Sequence, residues 1–511
     1  MLIKVFGAAV RGIDAYVVTI EVSTSRGIKF FLVGLPDNAV RESHERIVSA
    51  FQNNGFRFPS CQTIVNLAPA DIRKEGAAYD LPLAIGIMAA SGTLVTDMLD
   101  STVIMGELGL DGVLHPINGV LPMTIKARDD GFRNILIPFG NAEEAAVVDG
   151  INVYGATGLK QVVEFLSTGK GIEKYRREAA GPAAGYCGGM PDFAEVKGQE
   201  SVKRALEVAA AGGHNIIMVG PPGSGKSMMA KCLPSILPPL TPAESLETTK
   251  IHSVAGLVKP GSPLVTQRPF RSPHHTISPT AMIGGGANAQ PGEISLAHNG
   301  ILYADEIAEF PHSVLEVLRQ PLEDRRIRIS RVRYSVEYPA SFMLVASMNP
   351  CPCGYYTHPT HPCTCRPDSI NRYKNRISGP LMDRFDLHIS ILPVSFSEMS
   401  DHSASESSRT IRERVVKARQ IQEQRFSATE GIHCNAQMTN SMVNTFARPD
   451  NGGLRLLNDA MNRFNLSARA YNRILKVART IADMDGSETV RQKHIAEAAG
   501  YRNLDRADWG T

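Results

Sequence analysis

The sequence predicts an α/β protein in three parts: an N-terminal α/β unit, an α/β core that binds a nucleotide, and a helical C-terminal unit. Three observations carry this prediction. One apolar run ends in the glycine-rich loop Gly220–Ser227, and another ends in the acidic pair Asp305–Glu306. From residue 409 onward, by contrast, apolar residues recur at helical spacing.

The N-terminal unit is predicted to span residues 1–167. The stretches Ala15–Val22 and Phe30–Val33 alternate apolar and polar residues like strands, and an apolar-rich helix is expected between residues 41 and 53. This order of strands and helix is typical of an α/β unit.

Two polar segments are predicted to connect the parts. Residues 168–191 are rich in glycine and alanine around a charged patch, and residues 395–408 are rich in serine. They delimit a core at 192–394 and a helical unit at 409–511.

Composition limits the possible locations and partners of the chain. The 511 residues contain no apolar run long enough to cross a membrane, and Arg11 and Asp14 interrupt the apolar start too early for a signal peptide. We therefore expect a cytoplasmic protein. The net charge of +3 is too small to indicate a nucleic-acid partner, so any such surface must be local.

The loop after Asn215–Val219 matches the phosphate-binding pattern G-x-x-x-x-G-K-[ST] in full. Its glycines allow the backbone to wrap the phosphates, Lys226 reaches the β and γ oxygens, and Ser227 binds Mg²⁺. The pattern predicts an ATP-type nucleotide and Mg²⁺ as cofactors. The expected binding residues are Gly220, Pro221, Pro222, Gly223, Ser224, Gly225, Lys226 and Ser227.

Hydrolysis also needs carboxylates, and the run Ile301–Ala304 ends directly before Asp305 and Glu306. We expect Asp305 to hold Mg²⁺ through water and Glu306 to activate the attacking water. A merely solvated strand end is the alternative.

Four cysteines, in the pattern C-P-C-x9-C-T-C, crowd into residues 351–365. In a chain without a secretory signal, such spacing favours a structural zinc site, with His358 or His361 able to replace one thiolate. Redox-active or unpaired thiols are the alternative. The candidate ligands are Cys351, Cys353, Cys363 and Cys365.

The segment Asp324–Tyr338 alternates arginines with β-branched residues and predicts a β-hairpin, with Arg326 and Arg328 on one strand face. Exposed arginines there would contact phosphates of DNA of any sequence. A network of salt bridges between subunits is the alternative. The candidate DNA contacts are Arg326, Arg328, Arg331 and Arg333.

Three further residues follow in an informative order. Asn349 ends the apolar run Met343–Met348, Arg384 lies one predicted helix later, and Arg469 begins a helix of the C-terminal unit. In this order they resemble the sensor asparagine, arginine finger and second-sensor arginine of AAA+ ATPases. Each arginine alone could form a surface salt bridge. An arginine finger acts on a neighbour's nucleotide, so the resemblance implies a ring, usually of six subunits.

Longer motifs narrow the resemblance. The segments Phe270–Ser278, Gly284–Gly286, Pro291–Glu306 and Asn349–Gly354 look like those of magnesium-chelatase-like AAA+ proteins. With the N-terminal unit and the cysteine pairs, the whole chain resembles the bacterial ComM/YifB family. That family implies a homohexameric ATP-driven motor that promotes branch migration of DNA in natural transformation and recombination. In such motors the arginine hairpin lies before the sensor strand and points into the ring channel.

The N-terminal unit resembles Lon-type proteases in Ala68–Leu83 and Gly106–Leu121. Ala78 stands where those enzymes have their nucleophilic serine, and Leu121 stands where they have the activating lysine. Neither side chain can perform that chemistry, so the resemblance implies the fold without proteolysis. The unit is hypothesised to cap the ring and to guide DNA through the basic residues Lys29, Arg41, Arg46, Arg57 and Arg73.

Three functions compete at this point. A DNA motor for branch migration is favoured by the hairpin and the N-terminal unit. A chelatase-type motor would remodel a protein partner without nucleic acid, and an unfoldase would deliver protein to an N-terminal unit that lacks protease residues.

Overall fold

The computed structural model describes most of the chain, and two central sheets flanked by helices confirm the α/β class. Arg73, Arg333, most of the two predicted linkers and the last nine residues lie outside the described part. The described residues are 1–70, 74, 76–176, 190–259, 261–286, 289–331, 334–356, 358–393, 405–429, 431–464 and 466–502.

A seven-stranded mixed sheet organises the N-terminal residues, in the strand order β3-β4-β2-β1-β5-β8-β9. Strands β1 and β2 form a long antiparallel hairpin, and β5, β8 and β9 extend the sheet in parallel with β1. The strands are β1 (Leu2–Arg11), β2 (Asp14–Ser25), β3 (Phe30–Val33), β4 (Gln62–Ala68), β5 (Thr102–Ile104), β8 (Asn134–Pro138) and β9 (Asn152–Ala156), with the small antiparallel pair β6 (Glu107–Leu108) and β7 (Leu114–His115).

Helices cover this sheet because its strands carry buried apolar residues. Every residue of the helix Asp80–Ala90 is buried, which fits its almost entirely apolar sequence. Tyr175 donates its backbone N–H to Val153 of β9 at 2.8 Å, so the predicted linker begins with a segment packed on the sheet. The helices are α1 (Asn38–Arg41), α2 (Ser43–Asn53), α3 (Asp80–Ala90), α4 (Val120–Asp129), α5 (Ala142–Ala145) and α6 (Leu159–Thr168).

A five-stranded parallel sheet forms the centre of the chain, in the order β11-β14-β17-β10-β18. All residues of its three middle strands are buried, as expected for a parallel sheet covered on both faces. The strands are β10 (Ile216–Val219), β11 (Phe270–Arg271), β14 (Ile301–Ala304), β17 (Met343–Met348) and β18 (Leu387–Ser390).

Two small antiparallel pairs and several helices surround this sheet. The first pair joins β12 (Gly284–Gly285) to β13 (Gln290–Pro291), and the second joins β15 (Arg326–Arg331) to β16 (Tyr334–Pro339). The helices are α7 (Glu200–Gly212), α8 (Lys226–Ile236), α9 (Pro242–Val254), α10 (Pro279–Ile283), α11 (Glu293–Leu296), α12 (His312–Val317), α13 (Arg319–Asp324), α14 (Pro367–Lys374) and α15 (Gly379–Met382).

The described C-terminal residues are helical, as predicted. Ser407 and Ser467 cap their helices with side-chain hydrogen bonds, a start signal that is visible in the sequence. Within the described part of the chain, no helix is both long and apolar enough to span a membrane. The helices are α16 (Ser408–Phe426), α17 (Asn440–Phe446), α18 (Asn451–Phe464), α19 (Ala468–Met484) and α20 (Gln492–Gly500).

A buried polar network joins the parallel sheet to these C-terminal helices. Asp386, directly before β18, accepts hydrogen bonds from the backbone N–H of Asn215 at 3.2 Å and from Arg473 of α19. His214 lies 3.2 Å from the same carboxylate and 2.8 Å from the hydroxyl of Thr480. Burial alone would raise the pKa of Asp386, but Arg473 and His214 hold it below its ordinary value.

We expect Asp386→Ala to lower the free energy of unfolding by about 3 kcal/mol, because the partners of a buried carboxylate lose their acceptor. Urea unfolding of both proteins measures the difference. Because the pKa of Asp386 is lower in the folded chain than in the unfolded chain, this stabilisation is complete above about pH 5 and is lost as the pH falls. The difference should therefore shrink below about pH 4.

The exposed Asp459 of α18 provides the control, since Asp459→Ala should change stability by less than about 0.5 kcal/mol. Equal unfolding midpoints for Asp386→Ala and the unmodified chain would show that the network does not stabilise the fold.

Candidate nucleotide-binding site

The glycine-rich loop lies between β10 and α8, at the carboxyl end of the parallel strands. Gly223 and Gly225 have φ values of +76° and +83°, which a side chain would disfavour. Lys226 begins α8, and its Nζ donates to the carbonyls of Gly220 and Pro221 at 2.7 and 2.8 Å. Its ammonium group therefore already lies within the loop that would hold the phosphates.

Burial lowers the pKa of Lys226, and the carboxylates of Asp305 and Glu306 oppose this shift. The two acids follow β14, and the glycine-rich loop follows β10. Only β17 separates these two parallel strands, so the sheet brings the loop and the acids to the same edge.

Three hydroxyl groups surround Asp305. Ser227 donates to its Oδ2 at 3.0 Å, while Tyr303 and Ser347 donate to its Oδ1 at 2.8 and 2.5 Å. Burial alone would raise the pKa of Asp305, but these hydrogen bonds outweigh burial and lower it. The side chain is thus held as a carboxylate next to the Ser227 hydroxyl, and this pair of oxygen ligands fits Mg²⁺.

Glu306 adopts a left-handed backbone conformation with a φ of +51°, which is uncommon outside glycine. Its backbone N–H donates to Ser347 Oγ at 3.1 Å, and its side chain is exposed. Asn349 follows β17, and its Oδ1 lies 3.3 Å from Lys226 Nζ. The structure thus brings Lys226, Ser227, Asp305, Glu306 and Asn349 together.

Sequence reasoning missed three residues of this site. Ser347 contacts both acids, Tyr303 holds Asp305, and Gln199 donates its Nε2 to carbonyls of Ser224 and Leu392 at 3.3 and 2.9 Å. The available signal for Ser347 and Tyr303 was a hydroxyl group within an otherwise apolar strand, two residues before a predicted site residue. Gln199 makes its contacts through long-range packing, for which the sequence has no local pattern.

Arg384 lies at the opposite edge of the same sheet. Strands β10 and β18 are parallel, with Ile216 opposite Leu387, so residues just before β18 lie at the amino ends of the strands. Asn215, before β10, donates its Nδ2 to the carbonyl of Arg384 at 3.0 Å. At roughly 3.3 Å per residue, the four residues of β10 separate the two edges by about 13 Å.

Within this chain, the Arg384 side chain is 7% exposed and donates to Glu323 and to the carbonyl of Pro380. Arg469 is exposed and lies 3.7 Å from Asp383, next to Arg384. The two arginines therefore share one edge, away from the loop that would bind their own chain's nucleotide.

The four candidate zinc ligands converge. The sulfur atoms of Cys351, Cys353, Cys363 and Cys365 all lie within 4.8 Å of one another, and we call them the cysteine cluster. The separations from Cys351 to Cys353 and Cys363 are 3.3 and 3.7 Å, close to the spacing of thiolates around one tetrahedral zinc. His358 instead uses its Nδ1 to accept the backbone N–H of His361, at 3.0 Å.

The arginine-rich segment forms the predicted hairpin, β15 paired with β16. Arg326 and Arg328 are 71% and 67% exposed and both contact Glu337, at 2.9 and 3.0 Å, which confirms that they share one strand face. Ile327 and Ile329 are buried on the other face. The side chain of Arg331, like Arg333, lies outside the described part.

The N-terminal unit differs from expectation at one basic residue. Arg46 forms two hydrogen bonds, of 2.7 and 2.8 Å, with the fully buried carboxylate of Asp80, so it is not available to guide DNA as hypothesised. Leu121 is fully buried, and its backbone N–H donates to Glu144. Ala78 uses its carbonyl to accept the N–H of Gly106.

Family models match three consecutive parts of the chain. The model described as magnesium chelatase, subunit ChlI, matches residues 192–399. The model for subunit ChlI of Mg-chelatase matches residues 20–141, and the C-terminal model of the same subunit matches residues 405–502.

Whole-length relatives agree with these matches. The chain is 43% identical to competence protein ComM of Haemophilus influenzae over 98% of this chain and 97% of that protein. It is 41% identical to protein YifB of Salmonella typhimurium over 98% and 96% of the two chains. Lon protease 2 of Bacillus subtilis is 28% identical over 126 residues, which are 24% of this chain and 22% of that one. The chain therefore belongs to the ComM/YifB family of magnesium-chelatase-like AAA+ proteins.

Proposed function

We propose that this chain is the subunit of a hexameric, ATP-driven DNA motor that promotes branch migration in recombination during natural transformation. The observation that carries the proposal is the separation of Arg384 and Arg469 from the glycine-rich loop of their own chain. Two arginines on the far edge of the sheet would complete a neighbour's nucleotide site, so hydrolysis would require assembly. The name of the Haemophilus relative supports a role in competence.

In the proposed mechanism, the loop from Gly220 to Ser227 binds ATP through its backbone N–H groups, and Lys226 moves from its loop carbonyls to the β and γ phosphates. Ser227 and Asp305 would hold Mg²⁺, which would neutralise charge on the phosphates. Asn349 orients the attacking water, and Glu306 accepts its proton.

Arg384 and Arg469 would stabilise the negative charge that develops on the γ-phosphate of the neighbouring subunit. In the single chain, Glu323 holds Arg384. Assembly must replace this contact, and the exposed Glu323 side chain leaves room for that exchange. Arg469 is already exposed at the same edge.

DNA would contact the hairpin through Arg326, Arg328, Arg331 and Arg333. The exposure of the first two supports this role, although both are paired with Glu337 in the isolated chain. Phosphates would have to compete with that one carboxylate. Each phosphate contact would also release counterions from the DNA, which makes binding dependent on salt.

The division of the chain is part of the proposal. We assign 1–167 to an inactive Lon-like unit, 192–394 to the AAA+ core and 409–511 to a helical lid, with 168–191 and 395–408 as connections. The cysteine cluster would hold a structural zinc ion on four thiolates, a role that its converging sulfur atoms support.

A second candidate is a chelatase-type motor that remodels a protein partner. The matches to chelatase models along the chain favour it. Such a motor would hydrolyse ATP at a rate that does not respond to DNA.

Lys226→Ala should weaken ATP binding by roughly 10- to 150-fold, because a charged hydrogen bond to phosphate is lost. Glu306→Gln should bind ATP normally but hydrolyse it about 10²- to 10⁴-fold more slowly. A fluorescent ATP analogue and a phosphate-release assay measure the two effects. Glu309→Gln is the control, since Glu309 pairs with Arg376 and should leave both values near normal. Full hydrolysis by Glu306→Gln would refute its role as the base.

Arg384→Ala should bind ATP yet lose about 10³-fold or more in hydrolysis, as expected for an arginine finger. Mixing it with Lys226→Ala should restore part of the turnover, because some interfaces then combine an intact loop with an intact finger. A mixture of Lys226→Ala with Glu306→Gln is the control, since both changes damage the loop side and no interface is repaired. Equal turnover in the two mixtures would contradict action between subunits.

Replacing both Arg326 and Arg328 by alanine should weaken binding to single-stranded DNA and reduce the slope of log K against log salt by about 0.7 per lost phosphate contact. Glu337→Gln should strengthen binding, because it releases both arginines. Fluorescence anisotropy at several salt concentrations measures both. Arg366→Ala, an exposed arginine beside the cysteine cluster, is the control. Unchanged DNA affinity in both hairpin variants would remove the hairpin from the DNA surface.

A further inference from the structure

The cysteine cluster is directly connected to the nucleotide site. Cys351 is fully buried and follows Asn349 with only Pro350 between them. The Oδ1 of Asn349 lies 3.3 Å from Lys226 Nζ. A displacement of Cys351 is therefore transmitted through one rigid residue to a side chain that contacts the phosphate-binding lysine.

A second contact joins the cluster to the glycine-rich loop itself. Gly354 has a φ of +84°, and a Cβ built on it would lie only 2.7 Å from Cδ of Pro222. Its N–H donates to the carbonyl of Cys351 at 3.0 Å, which closes a tight turn around the first cysteine pair. The backbone of the cluster thus packs against the loop that would wrap the phosphates.

Helix α14, which follows the cluster, makes a third contact. The Nζ atom of Lys374, on this helix, lies 4.8 Å from the centre of the Tyr356 ring. Tyr356 donates its backbone N–H to the Cys351 sulfur at 3.3 Å. The cluster and helix α14 therefore belong to one packed unit.

A metal ion would determine whether this unit is rigid. Thiolates 3.3 to 3.7 Å apart repel one another when ionised, whereas a tetrahedral zinc ion holds them at about this spacing. Metal loss would release Cys351 and the turn at Gly354, and with them the positions of Asn349 and Pro222. Conversely, a nucleotide that orders the loop would also order the cluster.

We propose that metal binding by the cysteine cluster and nucleotide binding by the glycine-rich loop are energetically coupled, so that each strengthens the other. This inference rests on the proposed zinc and nucleotide sites. Thermodynamic linkage requires that both affinities change by the same factor.

The test uses the full-length chain in its zinc-loaded form and after removal of metal by a chelator, with metal content measured by mass spectrometry. Metal removal should weaken binding of a fluorescent ATP analogue by roughly 5- to 150-fold, the usual range for coupled sites. Saturating ADP should strengthen zinc binding, measured by competition with a chromophoric chelator, by the same factor that zinc strengthens ADP binding. Purified protein without bound metal, or equal nucleotide affinity in both forms, would overturn the proposal.

Two variants separate coupling from general damage. Cys365→Ser removes the ligand farthest along the chain from Asn349 and should weaken both zinc and nucleotide binding. Cys61→Ser, which removes a thiol of the N-terminal unit, should change neither.

Gly354→Ala tests the contact without touching a sulfur atom, and covers the case in which metal-free protein unfolds. It should retain zinc, bind nucleotide more weakly and lose most of the reciprocal effect, because its methyl group would displace Pro222. Gly55→Ala is the control, since Gly55 has a similar φ of +78° but no atom within 4 Å of the added methyl. Normal nucleotide affinity in Gly354→Ala would contradict the proposed contact.

Failure of the proposed coupling can be distinguished from failure of the proposed DNA-motor function. Affinities for nucleotide and zinc require neither DNA nor turnover, so the coupling can hold in a protein that does not move DNA.

Discussion

The direction of the parallel strands in the central sheet is the constraint on which the rest of the structure depends. The strands β10, β14, β17 and β18 run in the same direction. The glycine-rich loop and the acids Asp305 and Glu306 therefore lie at their carboxyl ends, while Arg384 lies at their amino ends. One chain therefore presents the two halves of the proposed hydrolytic site on opposite edges of the sheet. In the proposed ring, the edge of each subunit that carries Arg384 faces the edge of the next subunit that carries the glycine-rich loop.

At the edge of the sheet that carries the glycine-rich loop, hydroxyl groups determine the charge state of Asp305. Ser347 connects Asp305 and Glu306, and the three hydroxyls around Asp305 keep it charged despite partial burial. The cysteine cluster begins at Cys351, two residues after Asn349. The packing of Gly354 on Pro222 gives the proposed metal site a physical reason to follow β17 so closely.

Much of this architecture was predictable because its signals are local. The loop at Gly220–Ser227, the acidic pair after β14 and the alternating arginines of the hairpin each occupy one short segment with its own period or motif. The partners of Arg46 and Arg384 were not predictable, since Asp80 and Glu323 are 34 and 61 residues away and approach them only through tertiary packing. The role of Gln199 was not predictable for the same reason, since its contacts with Ser224 and Leu392 also depend on tertiary packing.

We propose that ATP hydrolysis at the seam between subunits drives movement of branched DNA. The most direct measurement is the rate of ATP hydrolysis per chain as the protein concentration rises, with and without four-way-junction DNA, with strand separation followed in the same samples. Turnover should increase as chains assemble, increase again with the junction, and be accompanied by strand separation. A constant rate per chain at every concentration, indifferent to DNA, would contradict it.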